Sequence, residues 1–231
     1  MSMTIQTCDG SFSAYVAAPK SDGPAPAILV IQEIYGVNAV MRGVCDHYAS
    51  LGYLAVCPDL FWRIEPGIDL TDQTPEGNKR AFELFGLFDV ENGMKDIQAT
   101  IDAVRADPRC SGKVGAVGYC LGGLLAYLTA TRTNADAAVG YYGVSIDTKL
   151  GAADAGHRPL MLHVAEEDEF VNKDAQAKII ARFKDDPAVT MHTYPGRGHA
   201  FARQGGAHYS DADANLANRR TEDFFTKALR S

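Results

Sequence analysis

Short runs of Val, Ile, Leu and Ala alternate along this chain with longer stretches in which apolar residues recur every three or four positions. "APAILVIQ" (25–32), "YLAVCPDL" (53–60), residues 113–118, "ADAAVGYYG" (135–143), "PLMLHVA" (159–165) and "VTMHTY" (189–194) read as strands. Continuous apolar character of this kind belongs to strands covered on both faces. Helical spacing covers 38–52, where Val40, Val44, Tyr48 and Leu51 fall on one face and Gly52 supplies a stop. Further helices are predicted over 78–87, over 90–106 with Met94, Ile97, Ile101 and Val104 in register, and over about 121–132, 172–184 and 212–229. Asp9-Gly10 marks an opening hairpin, and "RIEPGIDLTDQTPEG" (63–77), interrupted by prolines, reads as a loop.

Repeated strand–helix alternation predicts an α/β fold, a mostly parallel central sheet with helices on both faces. No repeat, linker or low-complexity tract interrupts it, so residues 1–231 are expected to form one domain.

The stretch "KVGAVGYCLGG" adds chemistry to that frame. A predicted strand runs into a turn whose centre, Cys120, is flanked two residues away by Gly118 and Gly122. Glycine-x-nucleophile-x-glycine between strand and helix is the nucleophile elbow of the α/β-hydrolase fold. The glycines let a strained backbone pass itself, and the amide of Leu121, opening the next helix, can help hold an oxyanion. The fold demands nucleophile, acid and histidine in that order. Asp168 follows the strand 159–165, and His199 follows the strand 189–194, in "TYPGRGHAF". All three thus sit at carboxyl ends of strands, where open α/β sheets place ligands. Glu166, Glu167 and Glu169 compete with Asp168 for the acid's role. A thiol suits the nucleophile's position, since a nearby base can ionise it.

Composition narrows the partners. A net charge of -7 gives no support to a nucleic-acid partner, and an anionic substrate would need a local arginine clamp. Five cysteines with no C-x-x-C pair argue against a disulfide framework or zinc ribbon and suit a reducing, cytoplasmic setting. Cys45 and Cys57 read as packing residues. No signal-like segment or membrane-length apolar run occurs, and no metal or organic cofactor is implied. A monomer or weak homodimer acting on a small molecule is expected.

The chain resembles the dienelactone hydrolases (carboxymethylenebutenolidases) from "SFSAYVAAP" to "LANRRTEDFF", most specifically in "QEIYGVN", "GYCLGG", "AVGYYGV" and "GHAFAR". The resemblance implies an α/β-hydrolase that opens dienelactone to maleylacetate through a thioester on Cys120. It implies that Glu33 takes the thiol's proton, a role that the residues alone leave open between Glu33 and His199, and that the amide of Ile34 is a second oxyanion donor. A carboxylate ending a buried strand is also expected to have a raised pKa. By the same resemblance Arg203 binds a substrate carboxylate. The chain departs from the family near residue 80. Asn78 stands where well-studied members have a second carboxylate-binding arginine, Phe82 where they have a tyrosine, and Phe85 where they have a tryptophan. Lys79, Arg80 and Arg63 are the cations that could substitute. An esterase for a different or uncharged ester is therefore the nearer alternative, and a thiol-redox sensor on the same fold the distant one.

Overall fold

The computed structural model of the chain describes residues 1–20 and 23–230. Its strands are β1 (Ser2–Thr7), β2 (Gly10–Ala17), β3 (Ala25–Ile31), β4 (Leu54–Pro58), β5 (Cys110–Tyr119), β6 (Ala137–Tyr141), β7 (Leu160–Ala165) and β8 (Val189–Tyr194). Among the described residues six α-helices accompany them: α1 (Ala39–Ser50), α2 (Pro75–Leu87), α3 (Val90–Ala106), α4 (Leu121–Arg132), α5 (Lys173–Phe183) and α6 (Asp211–Leu229). The strands form an eight-stranded sheet in the order β1-β2-β4-β3-β5-β6-β7-β8. Pairing is antiparallel for β1/β2 and β2/β4 and parallel for β3/β4, β6/β7 and β7/β8. The α/β class and the mostly parallel sheet are as the apolar pattern predicts. Contacts divide the chain between Ala116 and Val117, within β5, into two compact units.

In the first unit, β1 and β2 form the expected hairpin, with Thr7 opposite Gly10. Ile28 to Ile31 of β3 and Leu54 to Cys57 of β4 are fully buried. Asn38 caps α1 by accepting from the Met41 amide. The buried stripe of this helix is Met41, Cys45 and Tyr48, with Val40, Val44 and Leu51 only half-buried. The face is thus rotated from the one the valines suggest, because Cys45 packs as a small hydrophobe.

Helix α2 starts at Pro75, inside the segment 63–77 read as a loop. Thr74 caps it, accepting from the Gly77 amide, and Pro75 occupies the first helical position, where its missing N–H costs nothing. Helix α3 buries Met94, Ile97, Ile101 and Val104 as predicted, together with Asp96. That carboxylate is satisfied by the Trp62 indole N–H at 2.8 Å and by the Arg63 Nε and Nη2 at 2.9 and 2.8 Å.

In the second unit, α4 is buried from Leu121 to Ala130 and lies tightly on β6. A Cβ at Gly123 would come within 2.6 Å of the Tyr141 carbonyl oxygen and 2.7 Å of the Gly143 Cα, so only glycine permits this approach. A 3-10 segment, Ile146–Ala153, follows β6 and was not predicted. Beneath α6, the His163 imidazole bonds Tyr194 Oη at 2.7 Å and Thr221 Oγ1 at 2.9 Å. Thr221 Oγ1 also lies 2.7 Å from Tyr141 Oη. Burial pushes the His163 pKa well below its usual value, so this ring stays neutral and ties α6 to β7.

Candidate active site

Strand β5 ends at Tyr119 and α4 opens at Leu121, leaving Cys120 alone at the junction with φ +58° and ψ -115°. A non-glycine residue rarely takes such a conformation, and one that does is held there by its surroundings. The constraint is visible. A Cβ on Gly118 would sit 1.9 Å from the Gly122 carbonyl oxygen, so the strand can turn into the helix only with a bare residue there. The Cys120 amide donates to the Tyr141 carbonyl at 3.1 Å, and its own carbonyl accepts from the Gly123, Leu124 and Val144 amides. Cys120 itself is 7% exposed. Leu121 is the first residue of α4, so its amide belongs to the first-turn donors that have no acceptor within the helix.

Asp168 follows β7. Its Oδ1 accepts from the amides of Phe170 and Val171 at 2.9 and 3.2 Å, which orients the carboxylate. Nδ1 of His199 lies 3.0 Å from Asp168 Oδ1 and 2.9 Å from Oδ2. Lying between two carboxylate oxygens, Nδ1 must carry a hydrogen. The competing acids do not do this. Glu167 pairs with Lys173 at 3.0 Å, and Glu169 approaches the main chain of His199 rather than its ring.

His199 is 5% exposed, with its ring edge-on to Tyr142 and Phe170 at centroid distances of 5.1 and 4.9 Å. Its opposite nitrogen, Nε2, is buried and makes no full hydrogen bond. Cys120 nevertheless acts on the ring's charge. Burial opposes the imidazolium, but the hydrogen bond to Asp168 and the interaction with Cys120 outweigh it, raising the His199 pKa to about 10. Within the second unit the structure thus brings Cys120, Asp168 and His199 into one charge-linked group.

The first unit holds the other candidates. Glu33 ends the buried run of β3 and is 1% exposed, with Ile34 buried after it. Gln32, which the sequence reading passed over, fixes this corner. Its Oε1 accepts from the Leu60 amide at 3.0 Å, and its Nε2 donates to the Glu33 carbonyl at 3.4 Å. Asn78, on α2, is fully engaged. Its Oδ1 accepts from the Tyr35 hydroxyl at 2.7 Å, while its Nδ2 donates to the carbonyls of Asp72 and Thr74 at 2.9 and 3.0 Å. Phe82 and Phe85 are solvent-exposed aromatic residues on the same helix. Arg203, in the second unit, lies in the turn after His199, its amide donating to the Ala200 carbonyl.

A cysteine elbow, an acid after β7 and a histidine after β8, on a mostly parallel sheet, define an α/β-hydrolase. Within that class the chain belongs to the dienelactone hydrolase family, whose model matches residues 12–229, and it hydrolyses ester or lactone bonds. An Azospirillum brasilense protein provisionally named carboxymethylenebutenolidase is 49% identical, the match covering 96% of this chain and 95% of the relative. The Pseudomonas putida carboxymethylenebutenolidase is 41% identical over 96% of this chain and 94% of its own. A Klebsiella pneumoniae structure provisionally named dienelactone hydrolase superposes with a TM-score of 0.85 at 24% identity, covering 98% of each chain, and shares the fold. Among the described residues no helix is long and apolar enough to cross a membrane.

Proposed function

We propose that the chain opens dienelactone-class lactones, giving maleylacetate from dienelactone itself, through a thioester on Cys120. The observation that carries this reading is the His199 imidazole held between both oxygens of Asp168, in one charge-linked group with a thiol on a positive-φ elbow. The relative from Pseudomonas putida, a carboxymethylenebutenolidase, supports the substrate class.

Beside Asp168 and Cys120 the His199 imidazolium is favoured, its pKa raised to about 10. The proton of the Cys120 thiol is assigned to Glu33 when substrate arrives, as the family resemblance implies. The thiolate sulfur attacks the carbonyl carbon, and amides of Leu121 and Ile34 are assigned the oxyanion. The carbon–oxygen bond then breaks, and His199 gives its proton to the leaving oxygen. Now neutral, His199 takes a proton from water, whose oxygen attacks the thioester. The carbon–sulfur bond breaks, and Glu33 returns its proton to the sulfur. Arg203 is assigned the substrate carboxylate, with Phe82 and Phe85 as apolar contacts and Asn78 as a structural part of α2. A cytoplasmic location fits the free thiols.

A second reading, hydrolysis of a small uncharged ester, is favoured by one observation. Asn78 has no donor to offer, and two of the three cations that could replace the family's arginine are tied up. Arg63 is held by Asp96 and Asp9, and Arg80 by Glu65 and Glu83. Measuring kcat/KM for dienelactone beside an uncharged aryl acetate separates the two. A single charge-assisted clamp predicts a preference for dienelactone of about ten-fold or more. Parity between the two esters, with Cys120 still required, would assign the uncharged substrate instead.

A further inference from the structure

Two side chains outside the triad hold the main chain of His199. Glu169, next to the acid, points Oε2 at the His199 amide at 3.4 Å. Nδ1 of His208 lies 3.0 Å from the His199 carbonyl oxygen. A carbonyl only accepts, so this ring nitrogen carries the hydrogen. The same nitrogen is 3.9 Å from Oε1 of Glu169. One side chain therefore accepts from the amide of His199 while the other donates to its carbonyl. These bonds bracket the two torsions that aim its Cβ.

The chain is folded to deliver His208 to this point. Ala200 takes φ +60°, and successive turns follow through Arg203 to Ala200, Gly206 to Arg203 and Tyr209 to Gly206. The Ser210 amide then returns to the Phe201 carbonyl at 2.9 Å. Gly198 leaves the room required, since a Cβ there would be 3.2 Å from the His208 ring nitrogen. An alanine at positive φ stores strain that would relax if the loop were loose. His199 Nδ1 sits almost evenly between the Asp168 oxygens, a pose that a small main-chain rotation would lose.

We propose that His208, assisted by Glu169, is a positioning residue for the catalytic imidazole. It acts through the His199 main chain and touches neither substrate nor thiol. This rests on His199 being the group that activates water against the thioester. The step most sensitive to its aim is that hydrolysis, because a displacement of about 1 Å can cost up to about a hundred-fold in rate.

The test is single-turnover kinetics with p-nitrophenyl acetate on wild type, His208→Ala, His208→Asn and His199→Ala. In His208→Ala the thioester is expected to hydrolyse about ten-fold more slowly, so that a burst of nitrophenol precedes a slow steady state. Asparagine places an N–H near the position of Nδ1 and is expected to restore most of the rate. Melting temperatures of the two His208 variants should match, which a purely structural role would not give. Wild-type thioester hydrolysis in His208→Ala, or equal loss in both variants, would overturn the inference while an inactive His199→Ala leaves the catalytic reading standing. Full turnover by His199→Ala would overturn both.

Discussion

Cys120→Ala is expected to lower kcat on the order of 10⁴-fold or more while the protein stays folded. Removing the nucleophile of a covalent mechanism leaves only binding and oxyanion contacts, and such losses are among the largest that one side chain produces. The fold should survive because the elbow is held by its main chain. The Cys120 amide bonds Tyr141, its carbonyl takes three amides, and none of these involves the sulfur. Alanine can occupy the same strained φ at a cost similar to that of cysteine. Steady-state kinetics together with circular dichroism check the pair of statements. Retained ester turnover in the folded alanine variant would remove the thiol from the mechanism.

Asp168→Asn carries the second large effect, through both activity and pH. Asparagine can keep the hydrogen bonds from Phe170 and Val171 through its oxygen, so the loop after β7 should remain in place. What it loses is the negative charge beside His199. Without that charge the imidazolium is less stable, and kcat is expected to fall about 10³- to 10⁴-fold. The sign of the pH effect follows from the raised histidine pKa, about 10 when folded against an ordinary value of 6.5. Below pH 6.5 both folded and unfolded chains hold the proton, so the triad's contribution to stability is complete. It declines as pH rises from there and is gone above about 10, where the folded protein also releases the proton. The melting temperature of wild type should therefore carry a downward slope across this window that is shallower in Asp168→Asn, where only Cys120 still favours the imidazolium. Parallel curves for the two proteins would show that Asp168 does not set the charge of His199.

The features legible in the sequence are those that a single local rule enforces. Gly118 and Gly122 around Cys120 can be read directly, because the clash at Gly118 depends on a residue only four positions away. Asp168 and His199 were legible because the fold requires a strand to end just before each, and apolar runs mark those strands. The start of α2 is masked in the sequence because the prolines of 63–77 are equally loop markers, although Thr74-Pro75 is also a capping signal. The stripe of α1 is masked because the spacing of Val40, Val44 and Leu51 fits a helix face as well as that of Met41, Cys45 and Tyr48. The roles of Asn78, Gln32 and His208 depend on partners 43, 28 and 9 residues away, through hydrogen bonds that no periodicity encodes. Polar residues of this kind look alike in a sequence whether they hold a ligand or a loop. Asn78 is the instructive case. Its position suggested a changed substrate contact, and the structure shows its amide engaged by Tyr35, Asp72 and Thr74.

The central claim is that acyl transfer passes through the sulfur of Cys120, and trapping the intermediate tests it most directly. His199→Ala should still accept an acetyl group from p-nitrophenyl acetate but release it slowly, so rapid acid quenching and peptide mass spectrometry can locate the adduct. The mechanism predicts one acetyl group per chain, on the peptide carrying Cys120, labile to hydroxylamine as a thioester is. Acetyl on another residue, or a variant that turns over with no adduct at any time, would contradict it.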